Sequence, residues 1–152
     1  VTMNLNTLYS ELIFEHDKHP KHTGLREPFD ADVHHVNPVC GDEIQLRLKL
    51  SEDGATVEDI SYEAAGCAMS RASASMMADL FIGEPVSDIE EMTAHFDEVL
   101  HSRGKVEAEE EIIGDAVALA GAAKFPNRVK CVLMSWKAFQ AAYAEALLFR
   151  EK

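Results

Sequence analysis

The sequence predicts an α+β fold, a small antiparallel three-stranded sheet covered on one face by helices. Three observations lead there. The chain has 152 residues, 47% of them hydrophobic, enough for one domain with a core of its own. Residues 43–50 (EIQLRLKL) alternate apolar and polar side chains without a break, the pattern of a half-buried antiparallel strand. The order of elements is one helix, three strands, then helices only, which separates the sheet from its cover. No repeat, low-complexity segment or linker interrupts the chain, so 1–152 reads as one domain.

The elements follow in order. Residues 4–18 carry Leu5, Leu8, Leu12 and Ile13 at helical spacing, with Tyr9 and His16 near the same stripe and Asn4 or Asn6 as candidate N-cap. His19, Pro20 and Gly24 break that helix. Residues 32–36 form a short strand, and Asn37-Pro38-Val39-Cys40-Gly41-Asp42 is a turn. The alternating strand places Ile44, Leu46, Leu48 and Leu50 on one face. Ser51-Glu52-Asp53-Gly54 turns the chain back into a third strand over 57–64. Gly66-Cys67 ends that strand and opens a helix over 67–82, stopped by Gly83. Ser87 and Glu90 have capping-box spacing, and their helix runs to His101. The acidic run 107–111 reads as a solvated helix start. Residues 112–123 are small and apolar and read as a closely packed helix. Residues 125–127 read as a loop. Cys131 then opens the last helix, with Val132, Trp136, Phe139, Tyr143 and Ala146 on one stripe.

Composition excludes several functions. Fourteen Lys and Arg stand against 27 Asp and Glu, a net charge of −13. An acidic chain without a basic run is a poor nucleic-acid binder. No apolar run approaches the ~18 residues of a membrane span. The start VTMNLNTLYSELIFEHD has neither the basic nor the apolar region of a signal peptide, so the cytoplasm is the expected compartment. A partner is expected to offer a basic surface and to bind less well in salt.

Cys40, Cys67 and Cys131 are the three cysteines. An odd number argues against a disulfide framework. Cys40 falls in the turn, Cys67 at a strand–helix junction and Cys131 at a helix start, none of them mid-element on an apolar stripe. Helix starts favour a thiolate, the form that attacks electrophiles and binds metals. Cys40 and Cys67 flank the open end of one hairpin, where neighbouring strands lie ~5 Å apart. Asp42 stands two residues from Cys40. Three thiolates and a carboxylate suit tetrahedral zinc, and thiolate sites also suit iron–sulfur clusters. There is no C-x-x-C pair, so spacing alone is a weak metal signal. Ala72, Ala74 and Ser75 read as tight packing, and Met76 and Met77 as core. The seven histidines read as solvated or satisfied rather than as ligands.

Three segments carry a resemblance: Asn37-Pro-Val-Cys40-Gly-Asp42, the run from Ala65-Gly-Cys67 to Met77, and Arg128-Val-Lys-Cys131 followed by Trp136-Lys-Ala. Together the chain resembles the IscU-type iron–sulfur cluster assembly family over nearly its whole length. Lys130 stands where IscU-branch scaffolds carry a histidine, and Lys124-Phe-Pro-Asn-Arg-Val129 replaces their Leu-Pro-Pro-Val-Lys motif. With the long gap between Cys67 and Cys131, these departures are similar to the SufU branch. The resemblance implies a zinc site of Cys40, Asp42, Cys67 and Cys131. It also implies a SufS-like cysteine desulfurase as partner and a cluster assembly complex downstream. In the SufU-like mechanism a desulfurase histidine exchanges onto the zinc, and the freed Cys40 thiolate takes the sulfur. Arg128 reads equally as a stabiliser of thiolate or persulfide and as a surface ion-pair residue. Two rivals share these ligands: a scaffold for a labile [2Fe–2S] cluster, and a structural zinc module for protein interaction.

Overall fold

The computed structural model describes residues 5–150, with side chains from residue 7. The element order is α1 (Leu5–Lys18), β1 (Ala31–Asn37), β2 (Asp42–Leu50), β3 (Val57–Ala65), α2 (Ala68–Phe81), α3 (Val86–His101), α4 (Glu110–Ile113), a 3₁₀ segment (Gly114–Lys124) and α5 (Pro126–Arg150). The strands form one antiparallel sheet in the order β1-β2-β3, so the α+β expectation holds. Asn4 and the side chains of Leu5 and Asn6 lie outside the described residues.

Alternation in β2 sets the sheet's two faces. Ile44, Leu46, Leu48 and Leu50 are fully buried and join α2 and α5 in one hydrophobic cluster. On the opposite face Asp32 sits across from Arg47 in the register and accepts from its Nε at 2.9 Å and from Gln45 Nε2 at 3.1 Å. The two core helices are clasped by a chain of donors. Trp136 Nε1 donates to Ser73 Oγ at 3.0 Å, and Ser73 Oγ donates to the Val132 carbonyl at 2.6 Å. Trp136 stacks on Phe96, with centroids 3.9 Å apart, and meets Phe81 edge-on. Ala72, Ala74 and Ser75 are buried, Ser75 toward α1, and Met76 and Met77 are in the core, as their sequence reading has it.

Four local expectations are corrected. Pro85, not Ser87, is the N-cap of α3; the fixed φ of proline ends the preceding extended stretch and leaves Ser87 inside the first turn. Residues 112–123 are not one α-helix. Gly114 adopts φ 53°, closes α4 after a single turn, and the chain continues as a 3₁₀ helix. That geometry eclipses side chains three apart, which the methyl groups of Ala116 and Ala122 around Leu119 tolerate. Residues 126 and 127 are helical rather than loop, because Pro126 occupies the first position of α5, where a missing N–H costs nothing. Cys131 therefore lies in the second turn of α5, mid-element and only 3% exposed. The helix-start argument for its thiolate does not apply.

Polar groups fasten α1 and the loop after it to the core. His16 is buried, with Nδ1 2.7 Å from Ser75 Oγ and Nε2 3.0 Å from Asp115 Oδ2. Tyr62 donates its phenol proton to the Lys21 carbonyl at 2.8 Å. Burial pushes the Tyr62 phenol up to about 12, whereas an unfolded tyrosine ionises near ~10. The folded state thus holds this proton more tightly. Its contribution is complete below pH ~10 and is lost as pH rises toward the folded value. Melting temperature is expected to fall between about pH 10 and pH 12, and Tyr62→Phe to flatten that decline; thermal melts across the window give the answer, and an equally steep decline in the variant refutes it.

Candidate metal and sulfur centre

The site is built at the end of the sheet where β1 turns into β2 and β3 runs into α2. Asp42 is the first residue of β2, on the same face as Ile44, and it continues the buried row: its exposure is 0%. Asn37, its partner across the register, is buried at 8%. Between them the tight turn carries Cys40 at the surface, with Gly41 at φ 70° permitting its reversal.

A buried carboxylate needs compensation. Asp42 Oδ1 accepts from the Cys67 backbone N–H at 2.9 Å. Cys67 is the N-cap of α2, so this carboxylate also faces the positive end of that helix dipole. Gly66 makes the approach possible. It has φ 139°, and a Cβ there would overlap Asp42 Oδ1 and lie 2.8 Å from its Cγ. Asp42 Oδ2 is buried with no hydrogen-bond partner among the described residues.

That unpartnered oxygen lies in a cluster of sulfur. Ligand atoms of Cys40, Asp42 and Cys131 all fall within 4.8 Å of one another. The Cys40 and Cys131 sulfurs are joined as a disulfide spanning 91 residues of sequence, with Cα atoms 6.7 Å apart. The expectation of unpaired thiols is corrected here. An odd cysteine count says nothing about which pair the fold brings within the ~4.4–6.8 Å Cα spacing a disulfide bridges. Both sulfurs also lie near the Asn127 carbonyl, at 3.8 and 3.4 Å. Cys67 is a free, exposed thiol. Its backbone belongs to the site through Asp42, but its sulfur does not join the cluster of the other three ligands.

Asn37 is a participant that the sequence reading left out. Its Nδ2 donates to Cys131 Sγ at 3.6 Å, and its Oδ1 accepts from the Val39 N–H at 3.3 Å. One side chain thus ties the cysteine turn to α5. A polar residue just ahead of a Pro-x-Cys-Gly turn is the sequence signal that was available. Arg128 stacks its guanidinium over Phe125, 5.5 Å from the ring centre.

The donor set fits a metal ion. Once the disulfide is reduced, two thiolates and one unsatisfied carboxylate oxygen converge in a pocket that offers that oxygen no proton donor. Soft sulfur with one oxygen is a zinc-type set.

Residues 8–132 match the NifU-like N terminal domain family. The chain belongs to that family. It is 40% identical to the zinc-dependent sulfurtransferase SufU of Bacillus subtilis (strain 168), over 93% of each chain. It is 38% identical to the iron–sulfur cluster assembly scaffold protein IscU of Streptococcus pyogenes serotype M1, over 91% of this chain and 84% of that one. Among solved structures, a putative scaffold for the SUF system from Fervidobacterium islandicum AW-1 superposes with a TM-score of 0.79 at 28% identity, covering 92% of this chain and 99% of that one. The resemblance read from the cysteine segments is thereby borne out, in family and in fold.

The Gly66 contact is directly testable. Gly66→Ala adds a methyl group inside the Asp42 carboxylate at a backbone angle that side chains avoid. Destabilisation of about 3 kcal/mol is expected, a fall in melting temperature of roughly 10 °C. Gly83→Ala, at a positive φ with nothing within 4 Å, carries the backbone cost alone and should lose less. Equal losses in the two variants would show that the carboxylate contact contributes nothing.

Proposed function

We propose that this member of the family is an iron–sulfur cluster assembly protein acting as a zinc-bound sulfur acceptor. It takes persulfide sulfur from a SufS-like cysteine desulfurase and passes it to the cluster assembly machinery. The observation that carries this reading is the buried, unpartnered Asp42 Oδ2 beside two cysteine sulfurs. The kinship to a relative named as a zinc-dependent sulfurtransferase supports it.

Cys40, Asp42, Cys67 and Cys131 would hold the metal. Cys67 would complete the set with its sulfur, which lies outside the three-ligand cluster in this structure. Bound zinc would keep these thiols deprotonated near neutral pH without redox chemistry of its own. Asn37 directs an N–H at Cys131, so Cys131 is buried, hydrogen-bonded and held. Cys40 is on an exposed turn between Val39 and Gly41, and it is the thiol an incoming protein reaches. In the transfer, the Cys40 thiolate attacks the outer sulfur of the partner's persulfide. A new S–S bond forms at Cys40, the partner's S–S bond breaks, and the partner's cysteine leaves as thiolate. One disulfide-level bond replaces another, so no external oxidant or reductant is consumed. Exposed Val36, Val39 and Phe125, each more than half accessible, supply apolar surface around the turn. The described residues include no helix long and apolar enough to cross a membrane, which fits a cytoplasmic setting for this chemistry.

The scaffold reading uses the same ligands and draws on the relative named as a scaffold. Anaerobic reconstitution separates the two: a stable [2Fe–2S] chromophore that displaces zinc favours the scaffold.

Two outcomes are expected of reduced protein. Cys40→Ala should still fold, with a melting temperature lowered only by the weaker metal binding, yet abolish stimulation of the desulfurase, followed as alanine released from cysteine; wild-type stimulation in that variant defeats the reading. Elemental analysis should find near-stoichiometric zinc in the wild type and a loss of at least ~10-fold in metal affinity in Asp42→Ala.

A further inference from the structure

A cleft of about 300 Å³ opens between the C-terminal end of α3 and the first turns of α5. Leu100, Ala123 and Val129 give it apolar walls, while His101, Arg103 and Lys130 bring nitrogen to its rim, and no carboxylate lines it. His101 is engaged, with Nδ1 3.3 Å from Asp97 Oδ1. Arg103 and Lys130 are exposed and pair with no carboxylate among the described residues. Lys21, Arg26, Arg47, Lys49, Arg71 and Arg150 do pair; what sets Arg103 and Lys130 apart from the other unpaired cations is that they share one cleft without a carboxylate in its lining. Arg103 also holds a left-handed backbone, φ 59°, just after the C-cap Ser102. Glycine normally fills that position, since a side chain there is strained.

The cleft and the sulfur centre share the first turns of α5: Pro126, Val129 and Lys130 line the cleft, while their chain neighbours Asn127 and Cys131 belong to the centre. We infer that this cleft is a docking pocket for an acidic segment of the protein that delivers sulfur to Cys40. A carboxylate would sit between Arg103 and Lys130, and a neighbouring apolar side chain would fill the floor. Charge complementarity sets the partner's chemistry. The net charge of −13 points to a basic partner, but the sign at this cleft is the opposite. This inference rests on the sulfur-acceptor reading.

The test is desulfurase turnover measured as alanine release against the concentration of this protein. Wild type, Arg103→Glu, Lys130→Glu, the double variant and Lys137→Glu, an exposed lysine further along α5, are compared. The double variant is expected to raise KM by about tenfold with kcat within about twofold, to flatten the salt dependence of KM, and to leave the Lys137→Glu profile unlike its own. Arg103→Lys should restore KM. Arg103→Gln and Lys130→Gln, milder changes, should give smaller shifts of the same sign if charge reversal disturbs folding. An unchanged KM, or a fall in kcat with KM unchanged, overturns the docking pocket while leaving the acceptor reading intact. Failure of the wild type to stimulate turnover overturns both.

Discussion

A single buried carboxylate organises one end of this molecule. Asp42 occupies a position the sheet reserves for hydrophobic side chains, and it is compensated on one oxygen only, by the Cys67 N–H. Ionised groups without partners are costly in protein interiors. The other Asp42 oxygen has no such donor among the described residues, and the sulfurs of Cys40 and Cys131 lie within 4.8 Å of the carboxylate, the donor set a cation would balance. The turn carrying Cys40, the glycine at position 66 and the first turn of α2 are all arranged around that requirement.

The rest of the fold holds this end in place. Strand register sets Asn37 opposite Asp42, and places Gly66 one step beyond the last paired residues, Glu43 and Ala65. The Ser73–Trp136 clasp locks α2 to α5, and so fixes the distance between the helix that Cys67 caps and the helix that bears Cys131. Asn37 closes the circuit from the strand side. The candidate ligands come from different elements, and α5 packs against both α2 and β2. Packing and hydrogen bonds bring Cys40, Asp42 and Cys131 together at this end of the sheet.

Much of this was legible in the chain. The EIQLRLKL alternation located the central strand and its buried face, and hairpin topology put Cys40, Asp42 and the Cys67 backbone at one end of the sheet, though the Cys67 sulfur stands outside the cluster. The same alternation, carried two residues back, puts Asp42 on the buried row. Other features were hidden for physical reasons. Pro126 reads as a breaker, yet at the first helical position it is an initiator, and this moved Cys131 from a helix end into an interior. The 3₁₀ segment has no signature of its own, because alanine-rich stretches favour α-helix until a glycine such as Gly114 intervenes. The Cys40–Cys131 pairing depends on tertiary approach across 91 residues, which no local pattern encodes.

The overlap between the carboxylate and the space above Gly66 ties two positions far apart in sequence into one steric unit. Neither can drift without the other. A saturation library at either site alone would score it as intolerant, whereas a paired library should recover combinations in which a smaller residue at 42 relieves part of the penalty at 66. Such epistasis would mark variants that keep the architecture while discarding the chemistry.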